Sequence, residues 1–240
     1  MKLSYRCLSA IGLLGATIFG GISIATAPVQ AIPEALVIDK LQNVPVYVIT
    51  DESGTLVEAQ TNTPGKPPQT STGVFLSSQD AQNFIDKNLK TRQPDLTKVV
   101  KVTPVSLGEI YRRQQENKNK PQQLSYVLVP TAQQASSAIS ILNRSGQKLT
   151  QFNNVPVFIA MIKVPSGQEE YLMFRRDRRE IVPLFLSEPT LRAMVAKTYP
   201  NLASKVNIRV IDINSLFEYM TTKNDPIINN FEFNANMDIR

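Results

Sequence analysis

The chain contains no histidine, no tryptophan and one cysteine, Cys7. If the N-terminal segment is removed, as argued next, the remaining protein has neither histidine nor cysteine. That excludes disulfides, metal sites built on imidazole or thiolate, and every Ser-His-Asp or Cys-His nucleophile arrangement. Charge is sparse at 19%, too little for a disordered polyelectrolyte. Gly-rich phosphate loops, metal-ligand spacings and nucleophile elbows are also missing. What is present is enough apolar material, 42% of 240 residues, to bury a sizeable core in one or two domains.

Residues 1–31 read as a secretory signal peptide. Lys2 and Arg6 supply the charged start and Leu8 to Ile24 the apolar run. Val29-Gln30-Ala31 is a small-residue cleavage site, with Ala25-Thr26-Ala27 as the alternative. Gly12, Gly15, Gly20 and Gly21 interrupt the run and make it a poor spanning helix. Cleavage lowers the formal charge from +6 to about +4. An exported protein without disulfides is then held by its core alone. At the other end, residues 223–240 lack periodicity and read as a flexible tail, with Phe231 and Phe233 as residues able to dock on the body.

Between the ends the sequence echoes itself. Leu41-Gln42-Asn43-Val44-Pro45-Val46-Tyr47 returns as Phe152-Asn153-Asn154-Val155-Pro156-Val157-Phe158. Gly73-Val74-Phe75-Leu76-Ser77 returns as Val182-Pro183-Leu184-Phe185-Leu186-Ser187, and Pro94-Asp95-Leu96 as Pro200-Asn201-Leu202. Three matches in one order predict two repeats, 32–115 and 151–222, joined by a connector, 116–150. Each repeat reads as strands, helix, strand, helix. The expected fold class is α+β, two pseudo-symmetric units around mixed and antiparallel sheets, with a groove at their seam.

Alternation and capping place the elements. A helix over Pro33 to Leu41 shows Ala35, Ile38 and Leu41 on one face; strands follow at Val46 to Ile49, Thr55 to Glu58 and Val74 to Leu76. Gln60 to Ser71 reads as a loop. Ser77 caps a helix with the stripe Ala81, Phe84, Ile85 and Leu89. Strands at Ser125 to Val129, Val157 to Ile162, Glu170 to Phe174 and Glu180 to Phe185 come next. Ser187 caps a helix faced by Leu191, Met194, Val195 and Thr198.

Two sets of residues are candidates for binding. Phe75, Phe84, Phe185 and Met194 are the candidate apolar contacts for an extended or amphipathic peptide, each with core packing as the alternative. Arg175, Arg176, Arg178 and Arg179 are a candidate basic contact for an acidic partner or lipid headgroups, with a solvated hairpin tip as the alternative. No aromatic residue interleaves them, which argues against nucleic acid. Asp95, Glu109, Asp212 and Glu218 are scattered acids that read as surface or capping groups. A carboxylate-only hydrolase would need two of them paired in a cleft. The sequence calls for no cofactor.

The stretches Leu41 to Tyr47, Gly73 to Ala81, Val102 to Tyr111, Tyr126 to Pro130, Val155 to Phe158 and Val182 to Ser187 together resemble the Tic-twenty-two family, over roughly Pro33 to Thr221. That family takes its name from a component of the chloroplast-envelope import machinery. The bacterial-type leader makes the chain similar to cyanobacterial members. The resemblance implies a pseudo-symmetric body with apolar pockets, located in the periplasm or alternatively the thylakoid lumen. It implies a chaperone-like protein, not an enzyme, that handles unfolded or precursor proteins and supports outer-membrane barrel assembly beside Omp-eighty-five-type proteins, with at most peripheral membrane contact. The alternative is a structural adaptor that docks one folded partner through its basic surface.

Overall fold

The computed structural model describes residues 32–61, 68–120 and 123–233. The expected signal peptide, the centre of the 60–71 loop and the end of the tail lie outside them. The first half carries α1 (Glu34–Leu41), β1 (Pro45–Asp51), β2 (Ala59–Thr61), β3 (Gln69–Phe75), α2 (Ser78–Phe84), α3 (Lys90–Arg92), β4 (Val100–Ser106) and α4 (Leu107–Asn117). A π-helical turn (Ile85–Leu89) joins α2 to α3 without a break. Then come β5 (Leu124–Val129) and α5 (Ala132–Arg144), which opens on a capping box between Thr131 and Gln134. The second half carries β6 (Pro156–Lys163), β7 (Glu169–Tyr171), β8 (Phe174–Arg176), β9 (Arg179–Leu184), α6 (Glu188–Thr198), β10 (Val206–Asp212), α7 (Ile213–Thr222) and β11 (Phe231–Phe233).

The strands form three sheets. β1 lies between β3 and β4, both antiparallel to it, while β2 and β5 flank β3. β6 lies between β10 and β7, and β9 between β11 and β8. The class is α+β, as expected. The structure does not establish the expected repeat as a whole, but one local arrangement occurs in both halves. β1 pairs β4 from Pro45↔Ser106 to Asp51↔Val100, and β6 pairs β10 from Pro156↔Asp212 to Ile162↔Val206. In both, a valine carbonyl before the first strand accepts from the first residue of the following helix: Leu107 N–H to Val44 at 2.8 Å and Ile213 N–H to Val155 at 3.0 Å. The Val-Pro-Val echo marks that junction. Outside it the halves diverge into one five-stranded sheet and two three-stranded ones.

Several boundaries move. The expected loop 60–71 contains the end of β2 and the start of β3. Gln, Thr and Ser look like loop composition, but threonine suits a pleated surface, and Thr72 is buried with its hydroxyl donating to Val57 O at 2.9 Å. The expected strand 55–58 shrinks to a bridge at Leu56. The expected strand 170–174 splits, because Leu172 turns inward, bonded to Ala160 O at 2.9 Å, and the chain changes sheets there. On α1 the buried residues are Val37 and Leu41 rather than Ala35. The expected flexible tail is docked as far as Phe233. β11 pairs in parallel with β9, burying Ile228, Phe231 and Phe233, and Lys40 Nζ donates to the carbonyls of Asn229 (3.0 Å) and Phe231 (2.8 Å).

The largest core cluster joins the halves: Val46, Val48 and Leu107 of one meet Val157, Ile159 and Val182 of the other. The seam is therefore filled core, and the groove expected there lies elsewhere. A second cluster sits under α5 and α6, and a small third one under α2.

Candidate polypeptide-binding groove

The five-stranded sheet has two faces. Val74, Tyr126 and Leu128 pack into the seam core, while Phe75, Val102 and Val129 point the other way, toward α2. The Ser77 hydroxyl accepts from Asp80 N–H at 3.3 Å and fixes the start of α2 directly after β3. The helix then covers the β1 and β4 side of this face, through Ala81 and Ile85, and leaves the β3 and β5 side open. A groove of about 510 Å³ results, within the range of ligand-binding clefts. Its floor is Gly73, Phe75, Val127 and Val129, brought together by the parallel pairing Gly73↔Val127 and Phe75↔Val129. Phe84 and Leu89 form one wall and Val57 to Gln60 the other.

The structure brings Phe75 and Phe84 together and separates them from the other two candidates. Their ring centroids are 5.5 Å apart in a tilted pair. Phe75 is buried at the base, and Phe84 is 37% exposed on the wall. Phe185 is fully buried: it exchanges backbone hydrogen bonds with Phe158 at 2.7 and 3.0 Å and links the second and third sheets. Met194 is buried in the same cluster, beneath α6. Both are core, because the second half closes with α5 and α6 the face that the first half leaves open. Val127, 48% exposed, belongs to the groove and was not a candidate. It lies in a strand read as connector, and its six-residue uncharged run was the available signal.

The basic run is a hairpin tip. Arg176↔Arg179 is the last pair, and Asp177 and Arg178 have φ of 49° and 66°, a two-residue left-handed turn. Arg175, Arg178 and Arg179 are exposed. Arg176 instead ion-pairs with Glu232 of β11 and so holds the C-terminal segment.

The scattered acids do not pair. Asp95 faces Lys98, and Asp212 accepts from the N–H groups of Asn214 and Ser215 at the start of α7 and from Asn154. Glu109 lies between Arg113 and Arg112, whose guanidinium groups hold its carboxyl below the ordinary range. Burial raises the Tyr126 phenol, which stays neutral at the sheet edge. Among the described residues no cluster of three metal-ligating side chains occurs, and no helix is long and apolar enough to cross a membrane.

The class is an α+β body with an apolar groove open on one sheet face. This chain belongs to the Tic22-like family, whose sequence model matches residues 10–228. Similar solved structures include the following two. One is Tic22 of Anabaena, described as a protein-transport protein: 28% identity, a TM-score of 0.71, 84% of this chain and 92% of that one. The other is Tic22 of Plasmodium falciparum, which shares the fold at 21% identity and a TM-score of 0.61, over 82% of this chain and 90% of that one. No curated protein matches the chain.

Proposed function

We propose that the protein handles polypeptides in transit across the cell envelope, holding unfolded or precursor segments in the groove beside Phe75 and Phe84. The observation that carries this reading is the accessible apolar floor and wall, Val127 and Phe84 above all. The protein-transport role of the Anabaena relative supports it, as does the leader-like N-terminus, which argues for the periplasm. Binding there relies on apolar burial of about 25 cal/mol per Å², less the cost of ordering the segment, and is weak and reversible. The clients that fit are precursors of outer-membrane barrels on their way to an Omp-eighty-five-type assembly protein.

The test is a light-scattering assay of a chemically denatured client. The wild-type protein is expected to delay aggregation at stoichiometric amounts. Phe84→Asp, at an exposed wall position, is expected to abolish the delay while leaving the circular dichroism spectrum unchanged. No delay by the wild type sinks the proposal. A second reading, an adaptor for one folded partner, draws on the exposed Arg175, Arg178 and Arg179 tip. It requires salt-sensitive binding that charge reversal at Arg175 and Arg178 removes.

A further inference from the structure

Outer strands of natural sheets are protected against pairing with other chains by shortness, charge or proline. Most outer strands here follow that rule. β4 carries Lys101 and Pro104, β10 carries Arg209, and β2, β7, β8 and β11 are three residues each. β5 breaks it. Leu124-Ser125-Tyr126-Val127-Leu128-Val129 has six residues, no charge and no proline, and suits extended structure throughout. It pairs only with β3 among the described residues, and Asn117 Nδ2 donates to the carbonyl of its first residue, Leu124, at 2.7 Å.

The surroundings of this edge differ on its two sides. The apolar groove lies on one face. On the other, between β5, α4 and α7, is a cavity of about 550 Å³ edged by Gln114, Gln115, Asn154, Asn214 and Thr221. Val127 borders both. Each space holds one acid and one base, Glu58 with Arg92 and Lys118 with Glu218, so neither selects for net charge. A strand laid along β5 would alternate its side chains between an apolar space and a polar one.

We propose that β5 is a docking edge. An extended polypeptide segment without net charge, alternating apolar and polar side chains, adds to it as a further strand. Main-chain hydrogen bonds give the affinity and are indifferent to sequence. The two cavities select the alternation. A second copy of this chain fits less well, because its own Tyr126 and Leu128 are already packed in its core and would leave the cavities empty. The inference rests on the groove being a polypeptide site and adds the geometry of capture.

The experiment uses three fluorescent eight-residue peptides of alternating valine and threonine: unmodified, N-methylated at every valine, and N-methylated at every threonine. Only one set of amides faces β5. One methylated peptide is therefore expected to lose at least tenfold in affinity by fluorescence anisotropy while the other binds like the parent. Amides of residues 124–129 are expected to gain protection from hydrogen exchange when the parent peptide binds. Equal binding of all three peptides overturns strand addition and leaves the groove reading intact. No peptide binding, with Phe84-dependent suppression of client aggregation retained, does the same. Failure of both assays overturns both proposals. Self-association abolished by Val127→Lys, with no peptide binding, overturns this one in favour of a second copy.

Discussion

At the residue scale the sequence is read best where a side chain has one plausible environment. Ser77, Thr131 and Ser187 stand where helix starts need them, and each caps its helix. Phenylalanines are harder, since core and groove demand the same chemistry. Phe75 and Phe185 occupy matching places in the echo, and only the covering helices separate their fates. Thr198 offers a sharper test. It falls on the inward stripe of α6, and its hydroxyl is buried without a hydrogen-bond partner among the described residues. Thr198→Val keeps the shape and removes the unmet group, so it is expected to stabilise the protein by about 1 kcal/mol. The check is a higher urea midpoint with an unchanged slope; a lower midpoint would mean that the hydroxyl is satisfied in solution. Gly108 makes the opposite case. A Cβ there would lie 2.7 Å from the Ile38 carbonyl oxygen, where α1 crosses α4. Gly108→Ala is expected to destabilise by about 1–3 kcal/mol, although alanine is the better helix former by about 1 kcal/mol. Equal or greater stability of the variant, measured the same way, would show that α1 yields easily.

At the element scale the order of the longer strands and helices was legible, and the shorter strands and their partners were not. β5 was visible as a strand from Ser125 to Val129, yet its place beside β3 depends on a parallel crossover that local periodicity cannot show. That placement is what creates the groove floor. The C-terminal segment shows the same limit. Isolated Phe and Ile among Asn and Asp carry no period, because β11 is three residues long and borrows its hydrogen bonds from β9. Burial shows its contribution. Phe231 is almost fully buried and rests edge-on against Tyr171 at 5.7 Å. Phe231→Ala is expected to cost about 3–5 kcal/mol and to speed amide exchange at Val182 and Leu184, which lie beside β11 in register. Removing the half-exposed Arg176–Glu232 ion pair should cost under about 1 kcal/mol. Loss of the ion pair outweighing loss of the ring would mean that charge, not burial, holds the strap.

At the scale of the whole molecule the echo marks one similar junction in each half and misplaces the groove at the seam. Matching sequence blocks identify the Val-Pro-Val entry and the strand that pairs with it in each half. They do not say how the halves meet, because the residues facing the partner half are as apolar as those facing their own helices. The meeting surface is the largest core cluster, with Val46 and Val48 against Val157, Ile159 and Val182, closed by Phe231 from the far end of the chain. Neither half can bury its valines alone, and a domain boundary needs a surface that few contacts cross. The body is therefore expected to unfold in one transition, with calorimetric and van't Hoff enthalpies in agreement. A fragment of residues 32–115 is expected to lack fixed tertiary structure by near-ultraviolet circular dichroism. Two separable transitions, or a cooperatively folded fragment, would return the halves to independent status. One transition carries a consequence for the groove. Its floor stands on a sheet whose other face is the seam core, so the floor is expected to keep its shape as long as the body is folded. On the proposed reading a client segment would meet a preformed surface, and the entropy lost on capture would fall on the segment rather than on the protein.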